Sequence, residues 1–371
     1  MRGRELGIEV GTGHPGAENA ITDVAGVRVG VTTLIEGDGP LVVGQGPVRT
    51  GVTVIVPHDG NVWEEPLFAG AHRLNGNGEL TGLEWIRESG MLMSLIALTN
   101  THSVGVVHDA LVGINTRERS RPGQDFWSLP VAGETWDGVL NDINGMHVRA
   151  EHVVSAYEAA AGGSVAEGNV GSGTGMICHE FKGGIGTASR VVEQAAGGFT
   201  VGVLVQANHG RRERLAVNGA PVGAALDVDT VPSPSATSAG AGSIIVIAAT
   251  DAPLLPGQCT RLAQRASFGI ARTGGVGEHW SGDLLLAFST ANRGLPASAI
   301  GSPTPLTVNV EMLADAHLEP IFDAVVEATE EAILNALLGA ATMTGRDGVT
   351  AHAIDPDQLL AVLERHSARR P

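Results

Sequence analysis

Short apolar runs separated by Gly, Asn and Asp set the rhythm of this chain. "GVTVIVP" from residue 51, "SLIALTNTHSVGVV" from 94, "FTVGVLVQAN" from 199, "SIIVIAAT" from 243 and "DLLLAFST" from 283 are rich in β-branched and aliphatic residues. Turn formers bound them, so they predict strands. Most read as continuous apolar runs without alternation, the pattern of strands buried on both faces. "ITDVAGVRVGVTTL" from residue 21 alternates more strongly and predicts a further strand.

Helical spacing falls between some of these runs. "TGLEWIRESGML" begins at Thr81, a candidate cap, and "MHVRAEHVVSAYEAAAGG" ends at the pair Gly162–Gly163. "LADAHLEPIFDAVVEATEEAILNALLG" carries apolar positions at helical intervals, with Pro320 opening or kinking it. A last helix starts at "DPDQLLAVLERH", with Asp355 as cap and Pro356 in the first turn. Strands outnumber helices and come in clusters. The predicted class is therefore α+β, with large buried sheets covered by helices.

One stretch breaks the pattern. "VPSPSATSAGAG", residues 231–242, has the composition of an exposed linker, and at Ser243 it passes directly into Ile244, Ile245, Val246 and Ile247. A domain boundary is the simple reading. However, "SIIVIAAT" needs sheet partners, and the residues after it hold few other strands. The expectation is one domain, residues 1–371, that the linker interrupts without dividing.

Composition narrows the function. The 52 glycines lie among strongly apolar runs, which points to tight turns and close backbone approaches, not disorder. A net charge of −17 argues against nucleic acid and anionic membrane as partners. Cys178 and Cys259 are too few for a disulfide framework and lack metal-site spacing, so a reducing cytoplasm is expected. "MRGRELGIEV" has no apolar segment behind its basic residues, and no run is long enough to span a bilayer.

Several local patterns need weighing. "GTGHPG", residues 11–16, matches a dinucleotide fingerprint, but a strand-like pattern follows it where a helix would be needed, so it reads as a glycine turn. The 13 histidines include no metal-binding helix pair; His179–Glu180 and His58–Asp59 stand isolated, and no metal or cofactor is expected. "GNVGSGTGMICHEFKGGIGTASR", residues 168–190, surrounds Lys182 with glycines yet lacks G-K-[ST]. It is either a backbone nest aimed into a cavity or a turn-rich connector. "GETWDGVLNDING", residues 133–145, offers Glu134 for an ammonium group and Trp136 as an apolar wall. Taken alone, that stretch reads first as a solvated turn with a partly buried Trp. Asn208 ends a strand, and Ser281 and Asp283 sit where another begins, two apart and hence on one face.

Together, Ser243, Asn208, Ser281 and Asp283 give the sequence a close resemblance to the DmpA/BapA family of self-processing aminopeptidases, which act from an N-terminal serine. The likeness runs from "NAITDVAGVRVG" through "LTNTHSVGVV", "ETWDGVLNDING", "VGSGTGM", "KGGIGTASR", "VGVLVQAN", "GSIIVIAATDAPLLP" and "SGDLLLAFST" to "TGRDG" near residue 345. The resemblance implies a four-layer αββα sandwich, similar in plan to N-terminal nucleophile hydrolases but differently connected. It implies cleavage at Gly242–Ser243 into chains 1–242 and 243–371 that stay together, and a homotetramer of such pairs. It further implies Ser243 as nucleophile, Ser281 and Asp283 as its orienting pair, Asn208 as oxyanion donor, and Glu134 and Trp136 around the substrate's amino terminus. Some members have Tyr where this chain has Trp136, so a hydroxyl contact is not carried over; the single tyrosine, Tyr157, lies in a helical stretch.

The physical chemistry agrees with that assignment. A freed α-amino group has a pKa near about 7.7–8 and can serve as base to its own hydroxyl, so no histidine is needed. The expected substrates are short peptides, amides or esters, with β-aminoacyl peptides among the candidates. The alternatives are an amidohydrolase or acyltransferase on the same scaffold, or a binding protein that keeps the fold without processing.

Overall fold

The computed structural model describes residues 1–118, 126–234, 242–297 and 304–367. The first half of the chain supplies β1 (Arg28–Glu36), β2 (Val48–Val56), β3 (Leu67–Arg73), α1 (Leu83–Ser89), β4 (Met91–Leu92), β5 (Ile96–Asn100), α2 (Val104–Glu118), β6 (Val131–Thr135) and α3 (Ala150–Glu158). A two-residue hairpin, β7 (Ile177–Cys178) and β8 (Phe181–Lys182), leads into β9 (Gly184–Val191) and β10 (Thr200–Asn208). After the short α4 (Val222–Ala225) come β11 (Ser243–Thr250), α5 (Pro256–Arg272), β12 (Asp283–Ser289) and α6 (Glu319–Leu338). A second hairpin, β13 (Met343–Thr344) and β14 (Thr350–Ala351), and α7 (Pro356–Arg365) finish the chain.

The long strands form two sheets. One has the order β1-β2-β5-β6 and the other β4-β3-β12-β11-β10-β9. Pairing is antiparallel except between β5 and β6 and between β11 and β12. Between the sheets lie Ile55, Leu98, Val131, Leu204, Ile245, Ile247 and Phe288. Beyond the smaller sheet, Leu111 of α2 and Val153 of α3 pack on Val52, Val54 and Ala97. Beyond the larger one, Leu262 of α5 and Ile333 of α6 pack on Val203, Val246 and Leu285. The result is the four-layer αββα sandwich.

This layering explains the unbroken run in β11. Ile245 and Ile247 enter the inter-sheet core, while Ile244 and Val246 face the helices, so every position is apolar for one side or the other. Glycine lets the layers approach. A Cβ on Gly186 of β9 would stand 1.9 Å from the Ala332 carbonyl oxygen of α6, a separation no side chain can occupy.

Most helix expectations are met, with two corrections. Pro320 lies in the first turn of α6, and Asp355 caps α7 by accepting from the N–H groups of Asp357 and Gln358. Thr81 does not cap α1: Gly82 in a left-handed conformation precedes the helix, and the Thr81 hydroxyl donates to the Pro130 carbonyl instead. The helix α3 stops at Glu158, before the glycine pair, because the Ala161 N–H bonds to β1 at Val29. No helix among the described residues is long and apolar enough to cross a membrane.

Candidate active site

The ends of three adjacent strands build the site. Asn208, last in β10, stands opposite Ser243, first in β11, and Ile244 stands opposite Asp283, first in β12. Register alone therefore places an amide, a hydroxyl and a carboxylate along one sheet end. Ser243 is buried, and its Oγ accepts from the Gly282 N–H at 2.9 Å.

Ser281 and Asp283 meet, though not through strand alternation. The strand begins only at Asp283, and Ser281 belongs to the preceding turn, where its N–H donates to the Glu278 carbonyl. From there the Ser281 hydroxyl donates to Asp283 Oδ1 at 2.5 Å. The same oxygen accepts from the Ile244 N–H at 3.3 Å, and the Asp283 N–H donates to Asn75 Oδ1 at 2.6 Å. Burial pushes the Asp283 carboxyl up to about 6, against the pull of the Ser281 hydroxyl.

Asn208 is held from both ends of its amide. Its Oδ1 accepts from the Ile177 N–H at 2.7 Å, and its Nδ2 donates to the Trp136 carbonyl at 3.0 Å. A primary amide has two N–H groups, so one remains for another acceptor. Glu134 and Trp136 arrive from the end of β6. Glu134 is buried, with Oε1 accepting from the Glu79 N–H at 2.9 Å and Oε2 from the Thr101 hydroxyl. Burial raises its pKa.

Ser243, Glu134 and Trp136 open on a cavity of about 700 Å³ whose wall also includes Asn77, Thr101 and Trp280, while Asn208, Ser281 and Asp283 are not part of that wall. Gly242 also reaches its wall. A Cβ there would stand 1.8 Å from the Asn208 carbonyl oxygen, so this position accepts glycine alone without displacing β10. Trp136 and Trp280 are partly exposed and form flat apolar walls.

All seven sequence-predicted residues thus converge: Gly242, Ser243, Asn208, Ser281, Asp283, Glu134 and Trp136. The linker before them falls largely on residues 235–241, outside the described residues. Asn75, Asn77, Thr101 and Trp280 escaped sequence reading. "RLNGNGEL" reads as an ordinary polar turn, and only the exposed aromatic directly before Ser281 signals a wall. Of the two readings of the glycine-rich stretch, the connector holds. None of its residues lines the cavity, and Lys182 Nζ turns inward to donate to the carbonyls of Gly173, Met176 and Gly183.

The comparisons with known proteins accord with this geometry. The model of the family described as Peptidase family S58 matches residues 19–351. The chain belongs to peptidase family S58. Beta-peptidyl aminopeptidase BapA of Sphingosinicella microcystinivorans, a relative of this S58 peptidase, is 48% identical to it over 98% of this chain and 92% of that protein. Among solved structures, a Burkholderia sp. beta-aminopeptidase superposes with a TM-score of 0.93 at 56% identity, covering both chains fully. The L-aminopeptidase D-Ala-esterase/amidase of Ochrobactrum anthropi, described as a prototype serine aminopeptidase and a variant of the Ntn hydrolase fold, gives 0.91 at 44% identity over 100% of this chain and 99% of its own. This S58 peptidase is accordingly a hydrolase, an aminopeptidase of the N-terminal nucleophile type.

Proposed function

We propose that the chain cuts itself between Gly242 and Ser243 and that the new N-terminal Ser243 then removes single N-terminal residues from short peptides, amides or esters. The observation that supports this best is the register. Asn208, Ser243 and Asp283 stand together at one end of three neighbouring strands, and Gly242 and Ser243 reach the wall of the cavity there.

In the first reaction, Ser243 Oγ attacks the Gly242 carbonyl carbon, and its proton passes to the departing Ser243 nitrogen as the peptide bond breaks. An ester joins the two residues until water hydrolyses it, leaving a carboxylate on Gly242 and a free amine on Ser243. In the second, that amine takes the hydroxyl proton while Oγ attacks the substrate carbonyl. The Asp283–Ser281 pair holds the amine and hydroxyl in line. The free N–H of Asn208 donates to the oxyanion, a contact typically worth about 3–4 kcal/mol of barrier. The amine of the leaving group departs with the proton, and water releases the acyl group.

Glu134 supplies the aminopeptidase preference. A carboxylate fixed by Glu79 and Thr101 at the cavity wall suits the ammonium of a substrate's first residue. Trp136, with no hydroxyl to offer, favours small open-chain residues, and the relatives' names favour β-aminoacyl substrates among them. A homotetramer of cleaved pairs in the cytoplasm completes the proposal. Its support is an exposed apolar row, Leu306, Val308, Val310 and Met312, which a lone pair of chains leaves in water.

Mass spectrometry of the purified protein tests the reading. Wild type is expected as two polypeptides meeting at Gly242–Ser243, and Ser243→Ala as one intact chain without peptidase activity. An intact wild-type chain that still hydrolyses β-alanyl and α-aminoacyl amides would overturn it.

A further inference from the structure

Outside the cavity, the fold brings His209 to the adjacent pair Cys178–His179. Cys178 and His179 lie at the turn of the β7–β8 hairpin, and His209 directly follows β10. All three are buried. The Cys178 sulfur and one ring nitrogen from each histidine lie within 4.8 Å of one another. Cys178 Sγ is 3.8 Å from His209 Nδ1.

Two features suit this cluster to a ligand better than to packing alone. His179 Nδ1 lies 3.1 Å from the Arg211 carbonyl oxygen, which can only accept, so Nδ1 carries the proton and Nε2 presents its lone pair. That Nε2 is buried without a hydrogen-bond partner. Buried polar atoms rarely go unpaired, and a carbonyl behind the ring N–H is how metal-binding histidines are oriented. The backbone is also held in an uncommon state: His179 and Glu180 have φ of 49° and 63°. Non-glycine residues adopt that left-handed conformation where surrounding contacts impose it, often at functional sites. Here it accompanies an edge-on His179–His209 pair with centroids 5.2 Å apart.

We propose that Cys178, His179 and His209 bind one structural metal ion of the zinc or cuprous class. Thiolate and imidazole ligands select soft and borderline ions, whereas magnesium and calcium need oxygen. With metal–nitrogen bonds of about 2.0 Å and metal–sulfur bonds of about 2.3 Å, donors stand about 3.3–3.8 Å apart. The Cys178 Sγ–His209 Nδ1 pair already fits, and a shift of about 1 Å brings the His179 donor into the same range. As the sulfur–metal bond forms, the thiol proton passes to solvent, and no oxidation state changes.

The ion would clamp the support of Asn208. The Ile177 N–H holds Asn208 Oδ1, and the His179 N–H donates to the His209 carbonyl at 2.7 Å, so the same hairpin already carries both contacts. This inference does not depend on the reaction proposed above.

Cobalt spectroscopy of the full chain, produced in Co²⁺-supplemented medium because the cluster is enclosed, gives the test. One Co²⁺ per chain with sulfur-to-cobalt charge-transfer absorption is expected. The absorption should vanish in Cys178→Ser, and His209→Gln should weaken Co²⁺ retention at least tenfold. Elemental analysis of protein produced with Zn²⁺ and, separately, under Cu⁺-loading conditions decides which ion is retained. The proposal fails if wild type lacks the sulfur–cobalt band and retains neither Zn²⁺ nor Cu⁺ after dialysis. It also fails if the band survives in Cys178→Ser, which would place the ion on Cys259. The wild-type spectrum stands on its own should a variant not fold.

Discussion

Gly242 and Asp283 carry the sharpest expectations at the scale of single residues. A Cβ at 242 would collide with the Asn208 carbonyl, so Gly242→Ala should shift the end of β10 and slow self-cleavage at least tenfold, followed by the appearance of the two chains on a denaturing gel. Asp283 gives a pH signature. Its carboxyl is raised from 3.8 to about 6 in the folded chain by burial, so between those values the folded state holds a proton that the unfolded state has lost. Stability should therefore fall as pH rises through that window, by at most about 3 kcal/mol. Thermal melts of the single-chain Ser243→Ala protein should show the slope, and adding Asp283→Asn should flatten it. In the proposed mechanism the ionised carboxylate orients the new amine, so kcat/KM should climb with pH as Asp283 loses its proton. Asp283→Asn should lose that limb and about a hundredfold in rate. The residue types were readable in the sequence, since Ser243, Asn208 and Asp283 each stood at a strand end. Their supports were not. Asn75 and Thr101 are ordinary polar residues until folding puts one on the Asp283 N–H and the other on Glu134.

Among the elements, β11 and α6 show what a one-dimensional pattern conveys. Continuous apolar residues marked β11 as buried on both faces, and a buried central strand it is. The same pattern cannot say which strands flank it, because pairing with β10 and β12 joins segments far apart in the chain. Helical spacing located α6 but hid its charges. Glu331, wholly buried, accepts from Arg4, Asn19 and Arg190, and Arg190 also reaches Glu327. This network ties the N-terminal segment and β9 to α6. Removing Glu331 leaves Arg190 with Glu327 as its one carboxylate partner, and breaking a buried pair typically costs up to about 3–5 kcal/mol. Glu331→Ala in the Ser243→Ala background should lower the thermal midpoint by several degrees, whereas the exposed-pair variant Glu84→Ala should leave it nearly unchanged. His179 and His209 illustrate the opposite limit, since 29 intervening positions conceal a contact that only the β7–β8 turn creates.

For the whole molecule, the exposed row Leu306, Val308, Val310 and Met312 predicts association. Light scattering should show a tetramer of cleaved pairs for wild type, and Leu306→Asp combined with Val308→Asp should reduce the mass without altering the ends generated by cleavage. The four layers were inferable from family likeness more than from periodicity, because strand order is a long-range property. That order has a further bearing. In the larger sheet, β12 and β11 lie in the middle, with β3 and β4 on one side and β10 and β9 on the other. Once the backbone is severed before β11, the sheet becomes an interlocked puzzle whose centre pieces belong to a different molecule from its borders. Taking it apart would then erase the instructions for putting it back, since the fragments must find each other by diffusion. Recovery of heat-inactivated mature enzyme should accordingly depend on dilution, while the uncut precursor regains its form at any concentration.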